Sequence, residues 1–566
     1  MQEATPITTQ TRTTHATATT PFALYERLRG TVGTADCARW REAIFQRHWP
    51  IMALLVNHYE HLANTADYVA ANQWLRVINQ RLALGRTGLW LHSDRQVLED
   101  YLQAKARQLR QEVFELTHTL GSAALMLAAI KAKVERTGVA FPALPEHPSK
   151  HQKAGAIARV IDPDWWRKQL RVKQWREMEA LLRELGKTAK HTGIYVSDLS
   201  YQRRTEQKDR GHKLLQALQA ENELGQTYSL AELAELSTSN PVNRRHELMT
   251  RLRGFEEVAQ QASEPWQGVL FTVTCPSKYH AVMARSGQPN PRFNGTTPSQ
   301  ANAYLNTLWQ RTRAAWQSAG VEVFGFRVAE PHHDGTPHWH VLLFIRPAQI
   351  AQAEAIFKRY AMAEDTDEPG AQAQRFNTVI IDPTKGSATG YIAKYIAKNI
   401  DGFAVETDHY GKDAVSSALR IEAWASLWGI RQFQQIGGPS VTVWRELRRL
   451  EAEQVDETLL QQLTAAADDG DWQTYTTLMG GAVCPRVERP VRPYVITRTT
   501  LSKYAEQIKV IKGIWFGPTT ITTRLHEWVI NLVRTPAAND EAMAAIHERG
   551  AACSQAPPGA PLEFCQ

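Results

Sequence analysis

The spacing of apolar residues changes character near Glu264-Pro265. Before that point, from about Pro21 to Lys190, segments such as Trp40–His61 and Arg95–Arg136 mix apolar residues with Arg, Lys, Glu and Gln at helical spacing. Pro142, Pro145 and Pro148 interrupt this region. After it, Val269–Thr274 is a β-branched and aromatic run that predicts a strand. Ser299–Gly320 predicts a helix with Leu305, Leu308, Trp309 and Trp316 on one side and Gly320 as its stop. Val321–Glu330 predicts a second strand, Pro331–Pro337 a turn around Asp334-Gly335, and His338–Ile345 a third strand, apolar on both faces and therefore central. Gln349–Ala363 predicts a helix, Thr378–Asp382 a short strand and Ser387–Ile400 a further helix.

The order β-α-β-β-α-β is the split βαβ, ferredoxin-like pattern. It predicts an α+β fold in which an antiparallel sheet carries two helices on one face. The other face is left for a site or for the helix at Ser387–Ile400. Fold alone does not name a chemistry.

Composition narrows the class. Of 566 residues, 43% are hydrophobic and 22% charged, which excludes a wholly disordered or collagen-like chain. Five cysteines without a CxxC pair point away from a zinc ribbon or disulfide framework and toward a reducing cytoplasm. The longest apolar run, Leu120–Ile130, is shorter than the roughly 20 residues a bilayer requires, and the N-terminus lacks a secretory pattern, so no membrane partner is expected. The net charge is +7, yet Lys150–Lys213 alone holds 16 Lys+Arg against 8 Asp+Glu. That basic segment fits either a polyanion partner or a solvated helical surface. Trp165, Trp166 and Trp175 within it could stack on bases or pack a helix, and packing is the commoner use.

Two stretches carry chemistry. In Glu330-Pro331-His332-His333-Asp334-Gly335-Thr336-Pro337-His338-Trp339-His340, strand alternation points His338 and His340 the same way and Trp339 the other. Pairing about the turn places Glu330 opposite His338 or Trp339. Two imidazoles and a carboxylate then converge on one hairpin face as metal ligands, with positions left open for water or a phosphate oxygen. Two packed core histidines would give the same tripeptide. His332 and His333 read as turn residues that support the ligands rather than bind.

The second stretch is Gly390 to Ile400. At 100° per residue, Tyr391, Tyr395, Lys394 and Lys398 share one helix face, while Ile392, Ile396 and Ile400 share the next. The isoleucines are expected to dock on the open side of the sheet. Tyrosine can serve as a covalent nucleophile, and nearby lysines favour its phenolate and neutralise a phosphate. Tyrosines four apart with snorkelling lysines are also ordinary packing.

These constellations, in this order, resemble the HUH endonucleases, and most closely the replication gene A protein family of tailed bacteriophages. The resemblance rests on Thr272–Ser277, Glu330–His340, Tyr391–Gly402, Arg431–Pro439 and Val443–Leu450, and spans roughly a third of the chain, from about Val269 to Leu450. It implies a rolling-circle initiator that nicks single-stranded origin DNA. His338 and His340 match the paired metal histidines, and Glu330 the third ligand. Tyr391 and Tyr395 match the two-tyrosine motif, with Lys394 and Lys398 its lysines. One tyrosine would link to the 5′ phosphate and leave a 3′ hydroxyl for a polymerase, and the other would act after a round of synthesis. The metal implied is Mg²⁺ or Mn²⁺, although such a site also accepts zinc. The chain contains no GxxxxGK[ST] loop, so a separate host helicase is implied beside the host DNA polymerase, in the host bacterial cytoplasm.

The expected division is a disordered tail at 1–20, a helical accessory and DNA-binding region at 21–262, and an HUH endonuclease domain at 263–402. A mixed C-terminal region at 403–535 and a disordered tail at 536–566 complete it. Trp424, Trp428, Trp444 and Arg445–Arg449 in the mixed region could extend a DNA surface or pack on the nuclease. Three rival readings remain from sequence: a two-tyrosine transposase or relaxase, a non-catalytic DNA-binding protein, and a metal hydrolase using activated water. Relaxases usually place the tyrosines ahead of the histidines, and here the histidines come first.

Overall fold

The computed structural model describes residues 34–119, 122–404, 406–407, 410–450 and 458–533, so the expected tails at 1–20 and 536–566 lie outside the described residues. The described chain divides into two units, one of residues up to 101 with 135–139, the other of residues 102–134 and from 140 onward. The first holds helices α1 (Ala35–Arg47), α2 (Met52–Thr65) and α3 (Tyr68–Arg81). Phe45, Leu55, Tyr59, Leu75 and Ile78 are buried in it. The helix expected over Trp40–His61 is broken by a single 3-10 turn at Trp49–Ile51, because Pro50 has no N–H to continue the ladder.

The segment Arg95–Arg136 forms two helices, α4 (Arg95–Thr119) and α5 (Ala123–Glu135). Next come α6 (Lys150–Val160), α7 (Pro163–Glu184), α8 (Asp198–Gln216), β1 (Leu218–Asn222), β2 (Thr227–Ser229), α9 (Leu230–Leu236) and α10 (Pro241–Gln261). Trp165 and Trp166 are buried, and the Trp166 indole donates to the Val160 carbonyl at 2.8 Å. These tryptophans pack helices rather than face solvent.

The main sheet is built from β3 (Gln267–Thr274), β4 (Val323–Pro331), β5 (Pro337–Ile345), β6 (Phe376–Ile380) and β7 (Phe433–Ile436), in the order β6-β3-β5-β4-β7, every pair antiparallel. Helices α11 (Pro298–Ser318), α12 (Ile350–Ala361), the single turn α13 (Ala371–Gln374), α14 (Ala388–Ile400) and α15 (Ala414–Trp428) connect them. The fold is thus mixed helix and antiparallel sheet, α+β, with β5 central as expected. Strand β4 starts two residues later than the sequence suggests. Gly320 turns the chain at φ +66°, and the Val321 N–H returns to the Trp316 carbonyl at 2.9 Å to close the helix.

Both faces of the sheet are covered. Val269, Phe271, Val273, Val341 and Leu343 pack against Leu305, Trp309 and Trp316 of α11 and Phe357 of α12. On the other face Leu270, Phe324, Phe326, Leu342 and Phe344 meet Leu248, Leu252 and Phe255 of α10, and Ile392 and Ile396 of α14. The isoleucines dock where the helical wheel places them. Sequence reading left α10 in the accessory region; here it forms half of that layer. Strand β7 lies beyond residue 402, and the sheet draws it in.

The chain continues through α16 (Val441–Leu447), α17 (Thr458–Asp468), α18 (Trp472–Leu478) and strands β8 (Val491–Leu501), β9 (Gln507–Phe516), β10 (Thr519–Thr522) and β11 (Trp528–Leu532). Two small sheets result, β10-β9-β8 and β11-β1-β2. Trp424, Trp428 and Trp444 are buried, so of the two uses open to them they serve packing. Among the described residues no helix is long and apolar enough to cross a membrane.

Candidate active site

The turn between β4 and β5 is held from several sides. Gly335 sits at φ +79°, where a side chain is strained, and a Cβ there would lie 2.9 Å from the Tyr195 carbonyl oxygen. The buried Asp334 carboxylate accepts from the Ala281 N–H at 2.9 Å, the Thr336 N–H at 3.0 Å and the Thr336 hydroxyl at 2.9 Å. Arg183 of α7, itself buried, donates to the Asp334 carbonyl at 2.7 Å and to the Thr336 hydroxyl at 3.1 Å. The Trp424 indole of α15 donates to the Gly335 carbonyl at 2.7 Å. Burial alone raises a carboxyl pKa; here the charges of His280 and Arg183 outweigh it and hold Asp334 well below the usual range.

With the turn fixed, the register follows. Glu330 pairs with His338, and Val328 with His340. Glu330, His338 and His340 therefore share one face, while Trp339 enters the opposite core. Glu330 Oε2 lies 3.7 Å from His338 Nε2 and 3.4 Å from His340 Nε2, and the two Nε2 atoms are 3.0 Å apart. All three donor atoms lie within 4.8 Å of one another. Two imidazole nitrogens and a carboxylate oxygen, aimed at one point, are a donor set that fits a divalent cation. The set is also oriented from behind. His340 Nδ1 meets the Thr272 hydroxyl at 3.2 Å, which turns Nε2 toward Glu330. Glu330 Oε1 accepts from the Asn399 amide, leaving Oε2 for the site.

Electrostatics favour the ligating forms. Burial opposes charge on Glu330, but the His340 hydrogen bond, the Lys398 ammonium and Asn399 outweigh it and bring its pKa down to about 2. Burial, with His332 and His340 nearby, pushes the His338 imidazole well below its ordinary value, so it is neutral at pH 7. His332 stacks on His338 with ring centroids 4.1 Å apart and is pushed down to about 3, mainly by burial. It rests against His338 as a packing partner. His333 turns to Tyr410, and its carbonyl accepts from the Tyr195 N–H at 3.2 Å.

The four helix residues expected at the site lie on α14. Ser387 caps that helix by accepting from the Gly390 N–H at 2.9 Å, and Glu256 of α10 accepts from the Ala388 and Thr389 N–H groups at 2.7 and 3.0 Å. The Tyr395 ring stacks on His340. Tyr391, one turn earlier and half-buried, lines an open cleft with Lys385, Ser387, Gly390 and Lys394. Lys398 is buried with Nζ 3.5 Å from Glu330 Oε2, and Lys394 is exposed with Nζ 5.0 Å from the Tyr395 ring centroid.

One expectation is corrected by this geometry. The lysines were to favour the phenolate, yet burial, together with the Glu330 charge, pushes the Tyr395 hydroxyl up to about 12. Lys398 is engaged with the carboxylate instead. Sequence reasoning also missed Asn399, Glu256 and Arg183. Asn399 donates both to Glu330 and to the Tyr395 carbonyl, the latter at 2.6 Å, so it ties the tyrosine helix to the ligand strand. Its position four residues after Tyr395 is the signal that could have found it.

Comparison with known proteins identifies the family. The model of the family described as bacteriophage replication gene A protein (GPA) matches residues 94–403, a stretch that contains Glu330, His338, His340, Tyr391 and Tyr395. The chain is 41% identical over 392 residues to the replication gene A protein of Escherichia phage 186, covering 67% of this chain and 56% of that protein. It is 39% identical over 384 residues to the replication protein of Haemophilus phage HP1, covering 66% and 48%. It is 34% identical over 425 residues to the probable replication endonuclease from prophage-like region 1 of Salmonella typhi, covering 70% and 52%. The chain spans about half the length of these curated relatives. No solved structure matches it. The chain that carries this match has an α+β fold with a compact His-His-Glu cluster beside two tyrosines. The chain belongs to the bacteriophage replication gene A protein family.

Proposed function

We propose that this protein is a metal-dependent HUH endonuclease and strand transferase that nicks single-stranded origin DNA through a 5′-phosphotyrosine and so starts rolling-circle replication. The observation that carries the reading is the contact between Tyr395 and a ligand of the triad: its ring lies 3.9 Å from that of His340. In this reading the five-stranded sheet with α10 and β7 is a ferredoxin-like nuclease core, and the helices that precede it assist DNA binding. Relatives named replication endonucleases agree with it.

His338, His340 and Glu330 would hold Mg²⁺ or Mn²⁺. When bound, such an ion polarises the scissile phosphate and stabilises the charge that develops on it. The chain does the rest. Asn399 and Thr272 fix Glu330 and His340 so that the donor set needs no rearrangement. The Tyr395 phenol oxygen attacks phosphorus as its proton leaves to solvent. The bond from phosphorus to the 3′ oxygen breaks, and that oxygen takes a proton to become the 3′ hydroxyl. Lys394 lies beside the ring to offset phosphate charge, and Lys398 balances Glu330. Tyr391, in its own cleft with Lys385 and Lys394, is placed for a second, separate transfer. The phosphotyrosine bond conserves the energy for resealing, so rejoining requires no nucleotide. Host helicase and polymerase, in the host cytoplasm, complete the cycle.

The test uses end-labelled single-stranded oligonucleotides that tile the protein's own coding region, with Mn²⁺ or Mg²⁺ and a denaturing gel. A covalent adduct that disappears in the Tyr391→Phe, Tyr395→Phe double variant is expected. Cleavage with no adduct would instead indicate a water-activating hydrolase.

A further inference from the structure

The region beyond residue 450 carries a feature that neither the triad nor the tyrosine helix explains. Residues 485–524 hold 8 Lys+Arg against 2 Asp+Glu, a net +6 in a chain whose total is +7. They form the small sheet β10-β9-β8. Its inner face is apolar: Val491 and Ile514 are buried against the core that contains Trp444 and Leu447. Its outer face is of a different kind. Arg492 on β8 is the cross-strand partner of Trp515 on β9, which in turn pairs with Thr520 on β10. Tyr494 lies two residues on, with its ring edge-to-face to Trp515 at 5.7 Å. Trp515 is 38% exposed, and with Arg486, Arg492 and Pro493 it lines an open cleft of about 390 Å³.

Three of the eight cations are engaged elsewhere. Arg489 donates to the carbonyls of Met479 and Cys484, Arg524 pairs with Glu446, and Lys503 with Asp162. Arg486, Arg492 and Arg498 are exposed, and the first two border the Trp515 cleft. A partly exposed indole among exposed guanidinium groups has a specific chemical complement. That complement offers flat apolar faces and a regular row of negative charge, which is an unpaired polynucleotide strand. Duplex DNA presents the charge but hides its base faces, and an acidic peptide lacks stacking surfaces.

We propose that the outer face of β8-β9-β10 is a second DNA site that holds a single strand, with Trp515 stacking a base and Arg492 and Arg486 contacting the flanking phosphates. This rests on the reading of the protein as a single-strand nuclease. The platform sits outside the stretch matched by the family, at residues 94–403, and it uses none of the nuclease side chains.

The test is fluorescence anisotropy of the full chain with a labelled 20-nucleotide oligo-dT in EDTA, so that nothing is cut. Trp515→Ala is expected to weaken binding about tenfold. Trp515→Phe should keep most of the affinity, because a phenyl ring still stacks. Arg492→Ala should reduce the slope of log K against log salt by about 0.7. Duplex affinity should stay unchanged in both tryptophan variants. Equal oligo-dT affinity in the parent and Trp515→Ala overturns the proposal, as does an equal loss on duplex. Adduct formation on an origin oligonucleotide is read separately. Weakened oligo-dT binding in a protein that forms no adduct would sink the nuclease reading and keep the platform, and the reverse result would do the opposite.

Discussion

The Tyr395 ring lies nearly flat on His340, with centroids 3.9 Å apart and planes 22° apart. The proposed nucleophile and a proposed metal ligand are thus one packing unit. Tyr391 has no such contact and lines a cleft with two lysines. The two tyrosines are therefore not equivalent in the absence of DNA. Tyr395→Phe keeps the stacking surface and removes only the hydroxyl. Its Mn²⁺ affinity by calorimetry should match the parent, while first-strand cleavage of an origin oligonucleotide falls at least about 100-fold. Tyr391→Phe should cleave once and fail in strand transfer. Full cleavage by Tyr395→Phe would reverse the assignment.

Asn399 holds Glu330 Oε1 and the Tyr395 carbonyl at once. Asn399→Leu frees both. Mn²⁺ affinity should fall roughly 10–100-fold, the usual effect of losing a group that orients a ligand. Asn399→Asp should be worse, because it sets a second carboxylate against Glu330. An unchanged affinity in Asn399→Leu would mean that the strand alone orients the ligand.

Much of this site was legible in the sequence because strand and helix periods act locally. The period of two put His338 and His340 on one side, and the turn at Asp334-Gly335 set Glu330 opposite His338 or Trp339, of which the structure takes His338. The 100° wheel separated the tyrosine face from the isoleucine face. The partners that lie far away in sequence were not legible. Arg183 reaches Asp334 across 151 positions and Glu256 reaches Ala388 across 132, and no local period encodes such pairs. The raised hydroxyl of Tyr395 was missed for a related reason. Helical spacing counts lysines but does not reveal that Lys398 is spent on Glu330.

Arg183 illustrates what those long-range contacts do. Its guanidinium is buried beside Asp334, with Nη2 3.6 Å from the carboxylate. Arg183→Met removes the partner of a buried charge and the clamp on the hairpin turn. A loss of about 3–5 kcal/mol in urea unfolding is expected, and His338 should lose its register with it. A shift within error would show that the turn is held by backbone contacts alone.

The helical unit at the start of the described chain supplies a pH test that involves none of the triad or tyrosine-helix residues. His48 is buried, its Nε2 2.9 Å from Asn79 Oδ1 and its Nδ1 2.8 Å from His92 Nε2. Burial is the main cause that brings its pKa down from 6.5 to about 4, against the Asn79 hydrogen bond. The unfolded chain therefore binds the proton first. Stability is full above pH 6.5 and falls as pH drops from 6.5 toward 4, by roughly 2 kcal/mol after allowing for solvent screening. Pulse proteolysis in urea, scored at cleavage sites within residues 35–92, should show this slope in the parent and a flatter one in His48→Gln. Parallel slopes would assign the pH dependence to other groups.

Lys398 and Glu330 give the sharpest test of the metal site. Both are buried, with Nζ 3.5 Å from Oε2, so the lysine is the carboxylate's countercharge within the chain. Lys398→Met leaves the Glu330 charge without its ammonium partner, and in EDTA this should cost about 3–5 kcal/mol. A divalent ion held by His338, His340 and Glu330 carries twice the charge of the lysine it would face. Saturating Mn²⁺ should therefore restore most of the loss in Lys398→Met while adding less to the parent, where the ion must be accommodated beside an ammonium. Glu330→Gln removes the charge itself. The double variant Lys398→Met, Glu330→Gln should be nearly as stable as the parent in EDTA and gain little from Mn²⁺, a coupling that a cycle of urea melts measures directly. If Mn²⁺ leaves Lys398→Met as unstable as EDTA does, Glu330 does not ligate the ion, and the triad is a buried ion pair between two histidines.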